Sequence, residues 1–178
     1  MNDGWYVVHF ATDPSVLVTM AVVAALGLLA AAVVPRRRVS TALTGLALAV
    51  VLGVTVVPSG GWGDVVLVPD ALRSIATHLT PDPGGPAAWT AGSDAGLNIA
   101  LFVPLGAALT LLLHRPLVAT LAATALSAGV EAWQASLTTR VSSFDDVVCN
   151  GLGAAAGAAT AGVLMLAVRT ARHASPVR

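Results

Sequence analysis

The sequence predicts an all-α membrane protein, a polytopic bundle of about five transmembrane helices. Three observations carry that reading. Of the 178 residues, 56% are hydrophobic and only 10% are charged, where a soluble domain carries about 25% charged residues. Mean hydropathy is +0.83. Apolar runs recur that approach the roughly 20 residues needed to cross about 30 Å of hydrocarbon. A chain with so little polar surface cannot coat a globule of its own size in water.

The first span reads as Ser15 to Val34, closed by Pro35 and three arginines. The second runs from Val39 to Val57 and stops at Pro58 and "SGG". The third runs from Leu97 to Leu113; it is short by this count and is expected to start a turn earlier, near Asp94. Pro104 inside it should loosen or kink the helix, which neighbouring helices accommodate in a membrane. The fourth runs from Pro116 to Leu137 and the fifth from Val147 to Val168. The first span has no basic residue before it and three arginines after it, the charge order of a retained span rather than of a cleaved signal peptide.

All nine basic residues are arginine. With the abundant alanine and valine, this is the pattern of a GC-rich bacterial genome. Arg36, Arg37 and Arg38 join spans one and two, Arg115 joins three and four, and Arg169, Arg172 and Arg178 follow span five. The positive-inside rule makes that side cytoplasmic, so the N-terminus is expected outside and the C-terminus inside. Only Arg73 and Arg140 fall on the other side, with Asp3, Asp13, Asp64, Asp70, Asp82, Asp94, Asp145 and Asp146. Trp5, Trp62, Trp89 and Trp133 map there too, where indole rings favour the interface.

The outer loop, about Pro58 to Ser93, is broken by Pro58, Pro69, Pro81, Pro83 and Pro86 and is too small for a soluble catalytic domain. Within it "DALRSIATHL" suits a short helix with Asp70 as N-cap and Leu72, Ile75 and Leu79 on one face. The expectation is a helix lying on the outer leaflet, with a lid as the alternative.

Polar residues gather at the outer end of the last three spans. Glu131 and Gln134 are three apart on span four and share a face. Glu131 lies roughly 9 Å below that helix end at 1.5 Å per residue. A carboxylate there must face the bundle interior, find a partner or keep its proton. Arg140, just beyond, is the nearest partner in sequence. Ser143 and Asp146 have capping-box spacing at the start of span five, which accounts for one of the two aspartates without any function. Asn150 lies one turn further in, and Asn98 stands in the outer turn of span three. Asn98, Glu131, Gln134, Arg140, Asp145, Asp146 and Asn150 are therefore the candidate ligand-binding residues. Glu131, Asp145 and Asp146 are the candidates for catalysis.

Other motifs point to packing or to nothing. Gly153, Gly157 and Ala161 on span five, and Gly45, Ala49 and Gly53 on span two, are small-xxx-small stripes for close helix contact. "GLGAAAG" is not a phosphate loop, because no Lys-Ser/Thr follows it. His9, His78, His114 and His173 are scattered, and Cys149 is the single cysteine, so no disulfide, metal or cofactor is expected. Ser127, one turn from Glu131, has no histidine placed to activate it. No nucleic-acid motif is present.

The ordered set "NIALFVPLG", "SAGVEAWQ" and "RVSSFDDVVCNGLGAAAG" resembles the VanZ-like family of small bacterial membrane proteins. The resemblance covers about Asn98 to Gly157, and the first two spans are only generically similar. Asn98, Phe102, Pro104, Gly106, Glu131, Gln134, Arg140, Asp145, Asp146, Asn150, Gly153 and Gly157 each match a motif position, with either aspartate open for the family's role. Cys149 departs from the plain apolar residue more usual there. The resemblance divides the chain into two N-terminal helices and an extracytoplasmic loop (1–96), a VanZ-like three-helix core (97–170) and a cytoplasmic tail (171–178). It implies a cell-envelope role and a link, through the namesake, with resistance to the glycopeptide teicoplanin.

Three functions compete. The outer site binds a membrane lipid, lipid-linked envelope precursor or glycopeptide-related ligand, with Arg140 as the contact for an anionic headgroup. Alternatively, an enzyme acts on such a lipid with Glu131 as acid or base and Asp145 or Asp146 orienting a partner. In the third reading the polar groups only clasp the helices of a structural or accessory subunit. Transport is disfavoured, because the inner half offers no matching ionisable path. Localisation is expected in the bacterial cytoplasmic membrane. A reporter active only outside the membrane, fused after Arg178, is expected to stay silent; strong activity would overturn the five-span, N-out topology.

Overall fold

The computed structural model describes residues 12–78, 93–140 and 142–174. Its helices are α1 (Pro14–Val33), α2 (Arg38–Val56), α3 (Ala71–His78), α4 (Ser93–Leu113), α5 (Pro116–Ala135) and α6 (Phe144–Ala174). All but α3 are long and apolar enough to cross a membrane, five spans in total among the described residues. The protein is a multi-pass, all-helical membrane protein. Trp5, Trp89, Leu79, His9, Asp3, Asp82, Pro81, Pro83, Pro86 and Arg178 lie outside the described residues.

Local chemistry sets the helix ends. Asp13 accepts the Ser15 N–H at 2.7 Å, and Pro14 occupies the first turn of α1, where its missing N–H costs nothing. Pro35 ends α1 and opens a short 3₁₀ turn, Pro35–Arg37, that leads into α2. α4 closes on His114, whose φ of 59° is left-handed and whose N–H bonds the Thr110 carbonyl at 2.8 Å. That conformation costs a non-glycine residue about 1 kcal/mol, and Arg115–Pro116 then starts α5.

α4 begins at Ser93, the turn before Leu97 where the sequence placed its start, and runs unbroken through Pro104. Two other ends differ from the sequence expectation. α5 stops at Ala135 rather than Leu137, because residues 136–138 leave the helix to pair with the loop after α2. α6 extends beyond Val147–Val168 at both ends, to Phe144 and Ala174. Its first turn is capped by Ser143, and its last turns carry helix-forming Ala and Arg that need no hydrocarbon around them.

The loop after α2 and the loop after α5 form one cap over this end of the bundle. Val68 N–H donates to the Ser136 carbonyl at 2.9 Å and Thr138 N–H to the Val66 carbonyl at 3.0 Å. Ser59 Oγ donates to the Thr139 carbonyl at 2.8 Å. Trp62 ties the cap to α1, its indole Nε1 donating to Thr19 Oγ1 at 2.9 Å. Gly61 makes the turn before it with φ 80°, and a side chain there would meet Ser15.

Asp70 caps α3, its carboxylate accepting the Arg73 N–H at 3.3 Å. On the expected apolar face Leu72 is 82% exposed and Ile75 is half-buried. α3 docks on α5, with Ser74 Oγ donating to the Ala135 carbonyl at 2.6 Å. That hydrogen bond is made where α5 leaves its last carbonyls open.

Backbone-to-backbone contacts draw the long helices together. α4 packs most closely on α6, α1 on α2, and α5 on α6. A Cβ on Gly106 would overlap the Ala154 carbonyl, one on Gly153 the Ile99 carbonyl, and one on Gly157 the Val103 carbonyl. The α6 stripe thus serves α4, as small-residue spacing predicts. The α2 stripe works through Gly45, which meets Gly27 of α1, and Gly53, which takes the Met20 side chain. Below the cap, Phe102, Leu105, Val51, Ala47, Ala123 and Ala154 form the apolar core. Leu17, Val22, Leu26 and Leu29 of α1 remain exposed, an apolar surface suited to hydrocarbon.

Gly153→Val is expected to destabilise the bundle by about 2–3 kcal/mol, because the Ile99 backbone cannot yield. Gly129, with nothing near its missing Cβ, is the control. Gly129→Ala should leave the thermal midpoint in nanodiscs unchanged or slightly raised, by up to about 1 kcal/mol of helix propensity. Equal midpoints for wild type and Gly153→Val would refute this packing.

Candidate functional site

Helical spacing builds a polar ladder between α5 and α6. Ser127 and Glu131 are four apart on α5, and Asp146 and Asn150 are four apart on α6, so each pair lies on one face about 6 Å apart along its axis. The lower rung is Asn150 Nδ2 donating to Ser127 Oγ at 2.9 Å, fully buried. Glu131, only 3% exposed, makes the upper rung. Its Oε2 accepts the Ser143 N–H at 3.2 Å. α4 joins from the side, where Asn98 Nδ2 donates to Asp146 Oδ1 at 2.6 Å.

This arrangement corrects the expected capping box. Ser143 does cap α6, its Oγ accepting the Asp145 N–H at 3.1 Å. The carboxylate that takes the Ser143 N–H, however, is Glu131 from another helix, and Asp146 receives Asn98 instead. Glu131 and Asp146 both sit at the positive end of the α6 dipole, which favours their negative charge. The Asp146 carboxylate is close enough to act electrostatically on Glu131.

Arg140 and Gln134 do something the sequence does not announce. α2 ends with four carbonyls that no helical N–H can reach. Arg140 Nη2 donates to the Val54 carbonyl at 3.0 Å and also to that of Val57, which Nε reaches at 3.1 Å. Gln134 Nε2 donates to the Thr55 carbonyl at 2.8 Å, and Trp133 Nε1 to the Val56 carbonyl at 2.8 Å. Three side chains therefore satisfy Val54, Thr55, Val56 and Val57 in succession. Arg140, expected as an anion contact beside the acids, has its Nε and Nη2 bonded to the backbone of α2. Burial pulls the Arg140 pKa below its ordinary value, while the Glu131 charge pushes it the other way. Arginine stays cationic through such a shift.

A family model described as VanZ/LLP1 matches residues 46–166 of the chain, more than half of it. The chain belongs to the VanZ-like family. No curated protein and no solved structure matches it. In this VanZ-like protein the matched region begins inside α2, well before Asn98. It includes the carbonyls of Val54–Val57 together with every side chain that bonds them, so α2 belongs to the same structural unit as α4, α5 and α6.

The two aspartates part company. Asp146 turns inward to Asn98, whereas Asp145 is half-buried and its carboxylate makes no hydrogen bond among the described residues. Several contributors were missed in the sequence: Ser127 as partner of Asn150, Ser142 buried beside Glu131, and Trp133 as a cap for α2. Ser127 was recoverable from its i−4 relation to Glu131. Trp133 was assigned to the interface on residue type alone, and nothing local connects it to α2. Asn150 Oδ1 is buried and has no hydrogen-bond partner among the described residues. Among the described residues no three His, Cys, Asp or Glu side chains gather as a metal site.

Arg140→Ala should leave two α2 carbonyls unpaired and cost about 2–4 kcal/mol of stability. Gln134→Ala, which frees one, should cost about 1–2 kcal/mol. Arg140→Lys should recover only part, because an ammonium cannot span two carbonyls as the guanidinium fork does. Thermal denaturation in nanodiscs checks the ranking, and an Arg140→Ala protein as stable as wild type would refute the capping role.

Proposed function

We propose that this VanZ-like protein binds a cell-envelope lipid or glycopeptide-related ligand at the ladder of Asn98, Glu131, Asp146, Asn150 and Ser127. The observation that carries the reading is Asn150 Oδ1, a buried acceptor without a partner among the described residues, one turn from two carboxylates. Leaving such an acceptor unpaired costs about 1–3 kcal/mol. Ionisable groups at membrane depth mark functional sites. The open group is the Asn150 acceptor, and Arg140 spends Nε and Nη2 on α2. It suits a headgroup rich in hydroxyl and amide N–H donors, as lipid-linked glycopeptide precursors are, better than the anionic headgroup that Arg140 alone suggested. With the arginine-bearing connections placed in the bacterial cytoplasm by the positive-inside rule, the site faces the outer leaflet.

A second reading rests on the proximity of Glu131 and Asp146. Glu131, buried and within electrostatic reach of Asp146, is suited to acid–base chemistry on a bound envelope lipid, with Asp146 as its positioning partner.

The test is binding of a lipid-linked peptidoglycan precursor to purified protein in nanodiscs. Asn150→Ala should weaken binding about five- to thirtyfold, the worth of one to two kcal/mol. Glu131→Gln should keep binding, and abolish turnover if any is found. Equal affinity for wild type and Asn150→Ala, at equal thermal stability, would reject the binding site and leave a structural clasp.

A further inference from the structure

The opposite end of the bundle carries a feature that the polar ladder does not use. The 3₁₀ turn Pro35–Arg37 delivers Arg36, Arg37 and Arg38 in succession to the rim of an open groove of about 350 Å³. Ser40, Leu43 and Leu111 are among its other lining residues, so α2 and α4 both contribute. The volume lies within the range of small-ligand sites.

The groove is held in shape. Arg37 Nη1 donates to the Leu112 carbonyl near the end of α4, which fixes one guanidinium and ties the turn to that helix. Ser40 Oγ donates to the Arg37 carbonyl at 3.0 Å. α2 starts here with no side-chain cap on its N–H groups and no acid in its first turn. The helix dipole therefore adds to the arginine charge instead of being neutralised. All the acids among the described residues belong to the other end of the bundle. Beside the arginines the wall is apolar and open to lipid, with Val39 73% and Leu43 43% exposed.

We propose that this groove binds the headgroup of an anionic phospholipid from the surrounding bilayer. Arg36, Arg38 and the first N–H groups of α2 take the phosphate, and the acyl chains run along Val39 and Leu43. A basic pocket between spans at the membrane surface has the chemistry for such a headgroup. A bilayer lipid, rather than free phosphate, is the occupant because it alone covers the apolar wall as well as the charge.

The probe is phosphatidylglycerol against phosphatidylcholine, measured as lipid retained by the full-length purified protein in native mass spectrometry and by exchange of labelled lipid in nanodiscs. Phosphatidylglycerol should be preferred at least tenfold. Arg36→Gln and Arg38→Gln should each reduce that preference about fivefold, and the double variant should abolish it. Arg37 is kept, because it caps α4. Inorganic phosphate at millimolar concentration should not displace the lipid. Equal retention of the two lipids, unchanged preference in the Gln variants, or displacement by inorganic phosphate would each overturn the proposal. The single variants decide the matter if the double variant does not fold.

Discussion

A helix that ends within reach of hydrocarbon must find donors for its last four carbonyls, because no water is there to supply them. α2 ends at Val56 and Val57 followed by proline, with no glycine to fold the chain back onto its own carbonyls. The donors come from α5 and the loop beyond it: Trp133, Gln134 and Arg140. Once that junction forms, the direction and depth of α5 relative to α2 are set. The turn that follows α5 is brought against the loop after α2, where residues 66–68 pair with 136–138. α3 then docks on the same helix end through Ser74.

The electrostatics of the cap end follow from helix polarity. α2 presents its negative terminus there and α6 its positive one, and the chain places a guanidinium at the first and carboxylates at the second. Glu131 and Arg140 thus act on one another as neighbours while each is bonded to the backbone of a different helix. The opposite end repeats the device with Arg37 at the terminus of α4. An arginine count read only through the positive-inside rule misses this second use, in which the side chain is a helix cap as well as a topological signal.

Five spans, their approximate bounds and the cluster of polar residues at one end were legible because they rest on local properties: run length, charge order and the 3.6-residue period. The glycine stripe of α6 was legible for the same reason, since close approach of backbones demands small residues four apart wherever the partner lies. The capping box was misread because a local rule, Ser with an acid three residues on, competed with a non-local carboxylate already in place. The docking of α3 was not legible, because the Ala135 carbonyl that Ser74 bonds lies 61 residues away in the chain.

The sequence by itself determined that this chain lives in a membrane, where its helices run, and which residues are too polar to face lipid. Those are consequences of composition and period, and they hold whatever the helices touch. Only the tertiary structure decided what the polar residues do. Arg140 grips α2, Glu131 caps α6, Asp146 rather than Asp145 turns inward to Asn98, and Asn150 is left with an open acceptor. The reason is that a hydrogen bond within a membrane bundle is set by which backbone groups lack a partner at that depth. Those groups belong to helices distant in sequence.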